Sequence, residues 1–175
     1  MTRRHGSLFL LLTVPATAIA SDRAPTDVPD ELAVGDDEKL AFAVHAVGVQ
    51  IYDCTESSGT YSWVFREPDA VLYNADGDEV GVHYAGPTWE SNGGSAVVGS
   101  RVASVSSPDG AIAWLLLEAV DHDGPGLFQK VTSIQRLHTV DGVAPSSGCD
   151  AGTVGTDVEV PYEADYYFYK LHDAS

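Results

Sequence analysis

The sequence predicts an all-β, single-domain protein, an antiparallel β-sandwich or barrel with one disulfide. Short runs rich in β-branched and aromatic residues recur along its 175 residues, each bounded by Gly, Pro, Asn or Asp. No long helical pattern alternates with them, which argues against a parallel sheet with crossover helices. Cys54 and Cys149 are the two cysteines, and they permit a single intramolecular bridge.

The first 20 residues have the pattern of a secretory signal peptide. Arg3 and Arg4 precede a short apolar run from Leu8 to Val14, and Ala18-Ile19-Ala20 forms a small-x-small cleavage site. The sequence therefore predicts a secreted or periplasmic protein. Such a compartment is oxidising, so the Cys54–Cys149 disulfide is expected to form there.

Residues 21–35 are predicted to be a flexible leader, and residues 36–175 a single β-rich domain. The leader is rich in Pro, Asp and Ala and shows neither helical nor strand periodicity. Its apolar residues Val28, Leu32 and Val34 are expected to dock only loosely. The remaining chain is long enough for one hydrophobic core.

The domain is expected to consist of strands separated by turn residues. The expected strands are Lys39–Cys54, Tyr61–Phe65, Ala70–Tyr73, Glu79–Tyr84, Ala96–Val105 (one or two strands), Ile112–Val120, Val131–Thr139 and Tyr162–Tyr169. Alternation along Glu79–Tyr84 predicts that Val80, Val82 and Tyr84 face the core, which leaves His83 accessible on the other face.

Composition excludes several classes of partner and cofactor. The formal net charge is −17, so binding to nucleic acid or to anionic lipid through charge is not expected. No segment beyond the signal region approaches the ~20 apolar residues of a membrane span. The chain has no G-x-G-x-x-G, G-x-x-x-x-G-K or G-x-S-x-G pattern, so no cofactor is predicted.

Histidines and aromatic rings support two different hypotheses. His45, His83 and His138 lie on separate strands and could converge on zinc or copper, with Glu79 or Glu90 carrying protons, although no pair has helical or strand ligand spacing. Alternatively, Trp89 follows a Gly-Pro turn, and tyrosines are frequent nearby. Such rings, with neighbouring carboxylates, are suited to stacking on a sugar, although they also fill cores.

Several stretches resemble a family of small exported bacterial and fungal proteins filed as a domain of unknown function. They are "HAVGVQIYDC", "YSWVFREPDAVLYNADGDEVGVHYAGPTWE", "AIAWLLLEA", "GPGLFQKVTSIQRLHTVDGVAP" and "GCD…VPYEADYYFY". The resemblance extends from Val28 to Tyr169. It departs from the family pattern at Ala113, where the family has proline, and at Asp141-Gly142, where it has two glycines. Some fungal relatives carry a malate dehydrogenase label, which the absence of a dinucleotide-binding pattern does not support.

The resemblance implies no activity, but its motifs narrow the candidate surface. Some of the motif residues are expected to meet in one polar cleft, and the candidates are His45, Gln50, Tyr52, His83, Pro87, Thr88, Trp89, Glu90, Gln135 and Arg136.

The leading functional hypothesis is a non-enzymatic binding module for a saccharide or a cell-surface component. Trp89 and neighbouring tyrosines would stack on the ligand, while Gln50, His83 and Glu90 would make polar contacts. One alternative is a metal-dependent or redox enzyme that uses His45 and His83. The other is a structural surface protein without a small ligand.

Overall fold

The computed structural model of the chain describes residues 23–173, and the predicted signal peptide lies outside them. Apart from a 3₁₀ turn at Asp30–Leu32, the regular structure of the described residues is β. The strands are β1 (Glu38–Ser57), β2 (Thr60–Tyr73), β3 (Glu79–Tyr84), β4 (Thr88–Ser91), β5 (Ala96–Val105), β6 (Trp114–Asp123), β7 (Ser133–Asp141) and β8 (Asp157–Leu171). Within residues 23–173, no helix is long and apolar enough to cross a membrane.

These strands form one closed antiparallel barrel. Each strand pairs with the next along the chain, and β8 returns to pair with β1. That last seam is long, running from Glu38 opposite Leu171 to Asp53 opposite Asp157. The all-β prediction is confirmed, and of the two predicted architectures the chain adopts the barrel.

Two strands, β2 and β4, have no single counterpart among the predicted strands. The predicted strands Tyr61–Phe65 and Ala70–Tyr73 are parts of one strand, β2, because the polar segment between them stays paired with β1 across an irregularity at Ile51/Tyr52. The short strand β4 is absent from the prediction. It pairs with both β3 and β5, and it places Trp89 opposite His83 and Val97.

Alternate side chains fill the barrel interior. Along β8, Tyr162, Ala164, Tyr166 and Phe168 belong to the interior core. Phe168 stacks on Phe42 with a centroid distance of 4.8 Å. Eight-stranded barrels have interiors that side chains fill or that hold one small ligand, so the composition of this interior determines what the fold can do.

The intervening residues of β8 face outward, where the N-terminal segment covers them. Tyr167 and Tyr169 pack with Leu32, and Leu32 is fully buried. The Gln135 amide donates to the Leu32 carbonyl oxygen at 2.7 Å. Leu32 of the predicted leader is thus held closely against the domain, because the outward rings of the barrel supply an apolar surface that the sequence pattern does not reveal.

The predicted disulfide is confirmed. It joins Cys54, near the end of β1, to Cys149, in the segment between β7 and β8, with a Cα–Cα distance of 5.3 Å. The Trp63 indole donates to the Ser147 carbonyl oxygen at 2.9 Å, so the same segment is also attached to β2.

Candidate functional site

From Gly81 to Tyr84, strand β3 faces the opposite way from the sequence prediction, whereas Val80 packs against the interior core as predicted. His83 is 2% exposed and lies inside the barrel, whereas Val82 and Tyr84 are 37% and 38% exposed on the outside. Gly81 shares the inner face, where a Cβ would lie 2.2 Å from the Glu90 carbonyl oxygen. The alternation of polar and apolar residues along β3 predicts the wrong inner face here, because the interior holds polar and aromatic side chains rather than a purely aliphatic core.

His83, Trp89 and Tyr166 form an aromatic cluster inside the barrel. The His83 and Trp89 rings stack with centroids 4.4 Å apart and an interplanar angle of 11°. Tyr166 meets both rings edge-on, at centroid distances of 5.1 Å from His83 and 5.2 Å from Trp89. This arrangement holds the indole inside the barrel, so Trp89 does not form the accessible stacking platform that the sequence suggests.

Burial favours the neutral form of His83, and one hydrogen bond determines its tautomer. Its Nδ1 donates to the Thr88 carbonyl oxygen at 2.8 Å, which places the proton on Nδ1. Burial lowers the pKa of His83 to about 3. At neutral pH this imidazole is uncharged, and its Nε2 is available as a hydrogen-bond acceptor.

A cavity of about 320 Å³ opens into the barrel beside this cluster. We call it the interior cavity. It is lined by Gln50, Phe65, Arg66, Pro68, His83, Gly86, Pro87, Trp89, Leu115, Leu117, Arg136 and Tyr166. Gln50, His83, Trp89 and Tyr166 are almost fully buried, whereas Phe65, Arg66 and Gly86 are exposed, so the latter mark its mouth.

Buried polar atoms without hydrogen-bond partners concentrate in the barrel interior. Among the described residues, six buried side-chain nitrogen and oxygen atoms lack a partner. Four of them belong to interior residues, namely Gln50 Nε2, Trp89 Nε1, Tyr162 Oη and Tyr166 Oη. These groups lie close to one another, Tyr162 beside Tyr166 and Gln50, and Tyr166 beside Arg136. None of these approaches has the geometry of a full hydrogen bond to the four atoms. Such atoms are costly unless something else satisfies them.

Arg136 introduces a positive charge into this environment. Its Nε and Nη2 donate to the Ala113 carbonyl oxygen at 3.1 and 2.8 Å, and its side chain lines the interior cavity. Burial raises the pKa of Tyr166, an effect that the Arg136 guanidinium opposes. The lining of the cavity thus combines a cation with a set of unsatisfied polar groups.

The three histidines considered as metal ligands do not converge. His83 lies inside the barrel, whereas His45 and His138 lie outside and share Asp165. Within residues 23–173, no group of three or more His, Cys, Asp or Glu side chains is arranged to hold a metal ion. The strands bring the imidazoles to opposite faces of one sheet, which their spacing in the sequence does not predict.

The shared carboxylate builds a charged network on the outside of the barrel. Asp165 accepts hydrogen bonds from His45 Nδ1 at 2.8 Å and from His138 Nδ1 at 2.9 Å. The remaining imidazole nitrogens contact Glu163 and Asp27. The hydrogen bonds to Asp165 raise the pKa of both histidines. Burial acts to raise the pKa of Asp165, but its hydrogen bonds from His138 and His45 lower it.

The structure brings together four of the predicted ligand-binding residues and disperses the others. Gln50, His83, Trp89 and Arg136 line the interior cavity, with Pro87 at its edge. The other predicted residues have partners elsewhere. The Tyr52 hydroxyl donates to the Gly142 carbonyl oxygen at 2.6 Å, and Glu90 accepts from the Tyr84 hydroxyl at 2.8 Å. Gln135 bonds to Leu32 and Tyr169, Thr88 bonds to the Ala85 carbonyl oxygen, and His45 bonds to Asp165.

Several lining residues are absent from the predicted set. Phe65, Arg66, Leu115, Leu117 and Tyr166 come from β2, β6 and β8. The signal for Tyr166 is present in "YEADYYFY", where every second ring of the run enters the barrel. The two leucines could not be predicted as lining residues, because the sequence pattern of an apolar strand is the same whether the strand lines a cavity or a filled core.

A larger depression, of about 540 Å³, lies on the surface between the ends of β7 and β8. Exposed Val140 and Val143 line it together with glycines and turn residues. Its buried polar side chain, Thr139, already donates to the Ile112 carbonyl oxygen. This depression lacks the unsatisfied groups that distinguish the interior cavity.

Comparison with known proteins places the chain in a sequence family. Residues 35–170 match the family described as "Protein of unknown function (DUF3455)". No curated protein and no solved structure matches the chain.

Proposed function

Since the chain belongs to this family of proteins of unknown function, we propose a function from the geometry: an exported, non-enzymatic binding module that holds one small ligand in the interior cavity. The first classes of ligand to test are saccharides and cell-surface components. Export is supported by the signal-peptide pattern at the N-terminus and by the disulfide, which is typical of oxidising compartments.

The observation that carries this proposal is the set of unsatisfied polar atoms beside a space of ligand size. Gln50 Nε2, Trp89 Nε1 and Tyr166 Oη are buried without partners, and all three residues line the interior cavity. A bound molecule would satisfy them. The cavity volume of about 320 Å³ falls at the lower end of the ~300–1,000 Å³ range of small-molecule sites.

The proposal is tested by ligand binding to the protein exported by its own signal. N-acetylglucosamine and cellobiose serve as saccharide probes, and anilinonaphthalene sulfonate as an apolar probe, with Trp fluorescence and thermal stability as readouts. A probe that enters the cavity is expected to change the emission of Trp89 and to raise the unfolding temperature.

A cavity-filling variant gives the control. Leu115→Trp replaces a leucine on the cavity wall by a larger indole side chain and is expected to abolish binding. Val102→Trp adds the same ring on an exposed position of β5, where Val102 is 58% exposed, and is expected to leave binding unchanged. Binding that survives Leu115→Trp would place the site elsewhere. Absence of binding by every probe would favour a structural protein without a small ligand.

A further inference from the structure

The interior cavity offers many hydrogen-bond donors and few acceptors. The unpartnered Gln50 Nε2 and Trp89 Nε1 are donors only. The guanidinium of Arg136 has five N–H groups. The bonds to the Ala113 carbonyl oxygen engage two of them, and the guanidinium also faces the Tyr166 hydroxyl, which leaves further N–H groups for a ligand. The Tyr166 hydroxyl can also donate. A ligand that satisfies this set must bring acceptor oxygens.

The charges at the cavity have one sign. Its charged lining residues are Arg66 and Arg136, and no Asp or Glu is among the residues that line it. Arg66 is already paired, with Asp53 at 2.7 Å and Glu67 at 3.3 Å. Among the ion pairs of residues 23–173, none involves Arg136.

The lack of an acidic partner for Arg136 is notable in this chain. Acidic residues outnumber basic ones by 26 to 9, so carboxylates are abundant on its surface. A half-buried cation without a counter-charge is costly, and an anion placed against it recovers that cost. The free N–H groups of a guanidinium fit the two oxygens of a carboxylate.

The remainder of the lining is apolar. Phe65, Leu115 and Leu117 supply hydrocarbon surface, and Pro68, Pro87 and the aromatic cluster extend it. This surface suits an organic body of about the size of one ring. A purely hydrophilic anion would leave it in contact with water.

We infer that the interior cavity binds a small organic carboxylate with an apolar body, its carboxylate against the Arg136 guanidinium and its body between Phe65 and the leucine wall. This inference rests on the proposed binding function and narrows the class of ligand.

The test compares three probes that share one apolar body: hydrocinnamate, its uncharged amide, and phenylpropylamine. Isothermal titration at about pH 7 measures their affinities for the exported protein, with inorganic phosphate as the hydrophilic anion. Hydrocinnamate is expected to bind about tenfold more tightly than the amide, because only the carboxylate pairs with Arg136. The amine and phosphate are expected to bind more weakly than either.

Variants assign this preference to one residue. Arg136→Gln is expected to reduce the affinity for hydrocinnamate to that for the amide while amide binding persists. Arg101→Gln removes a cation from an exposed position on β5 and is expected to change neither affinity. If Arg136→Gln does not fold, the ranking of the three probes on the unmodified protein decides the question.

The outcomes separate this inference from the proposed function. Equal binding of acid and amide, or tighter binding of the amine, would overturn the carboxylate inference and leave a binding module. Saccharide binding without hydrocinnamate binding would do the same. Failure of all the saccharide, apolar and carboxylate probes would overturn both proposals.

Discussion

At the scale of single residues, Asp165 is the carboxylate that couples the first, seventh and eighth strands. It lies on β8 and binds His45 of β1 and His138 of β7. His138 adopts this position with a positive φ of 48°, a backbone conformation that is uncommon for residues other than glycine. The network therefore compensates local strain with two charge-assisted hydrogen bonds.

Asp165→Asn is expected to destabilise the fold in a pH-dependent way. The raised pKa values of His45 and His138 give stability that is present below about 6.5 and is lost as pH rises through the folded values. The lowered pKa of Asp165 gives stability present above about 3.8 and lost as pH falls through its folded value. The variant should cost about 3 kcal/mol near pH 5.5 and less near pH 8.5.

Urea unfolding at the two pH values measures this difference. Asp27 and Glu163 also face the two imidazoles and keep part of the interaction in the variant. Asp109→Asn, at an exposed position, serves as the control and should change stability by less than about 0.5 kcal/mol at either pH. An equal cost of Asp165→Asn at both pH values would contradict the ion-pair interpretation.

Gly99 provides the space in which Trp89 sits. A Cβ at this position would lie 3.0 Å from Trp89 Cζ3 and 3.2 Å from Leu117 Cδ2. Gly99→Ala is therefore expected to reduce the free energy of unfolding by about 1–3 kcal/mol through overpacking. It should also change the fluorescence of Trp89.

Gly93→Ala is the matched control for this substitution. The nearest atom to its added Cβ is Ser91 Oγ at 3.6 Å, an ordinary contact. Its stability, measured by the same urea titration, should stay within about 0.5 kcal/mol of the unmodified protein. Similar losses in both variants would mean that glycine, rather than the space beside Trp89, is required.

At the scale of elements, the N-terminal segment behaves as part of the domain. Leu32 is fully buried in the outer cluster with Trp114, Leu137 and Tyr167. Leu32→Ala is expected to cost about 2–5 kcal/mol, measured by chemical denaturation. Leu171→Ala, at a position that is 52% exposed, should have little effect. A small loss at Leu32 would indicate that the segment docks only loosely.

The elements also show where sequence reasoning succeeds and where it fails. Glu79–Tyr84 and Ala96–Val105 have the predicted bounds because turn residues flank them. The prediction for the inner face of β3 is wrong at His83, because the alternation of polar and apolar residues assigns Val82 and Tyr84 to the core. In the barrel, His83 instead points inward and stacks on Trp89. Short β4 has too few residues to show a period, so only its pairing with two neighbours defines it.

At the scale of the whole molecule, composition and the turn residues between apolar runs are sufficient to predict an antiparallel all-β domain with its disulfide. They do not predict barrel closure, which depends on the pairing of β1 with β8, and this pairing has no local signature. For the same reason, the interior cavity was only partly predicted. Gln50, Arg136 and the pair His83 and Trp89 come from three separate motifs, and the closed register determines which of them meet.

The disulfide is expected to contribute strongly to global stability. It joins cysteines 95 residues apart, and a loop of that length corresponds to about 4–5 kcal/mol on the chain-entropy model. The double variant Cys54→Ser/Cys149→Ser should lose a comparable amount in urea unfolding. The unmodified protein, unfolded in the presence of a reductant, should lose a similar amount. A loss below about 1 kcal/mol would show that the other contacts of this segment, such as Trp63 with Ser147, are sufficient.

The seam between β1 and β8 has a consequence for the order of assembly. Glu38 pairs with Leu171, so the first strand cannot complete its hydrogen bonds until the last strand is available. Until then, the growing sheet has two open edges, and open edges can pair with those of other chains. Closure removes both edges in one step. A chain that folds as it is synthesised is thus most vulnerable to aggregation just before its final fifteen-residue strand is available.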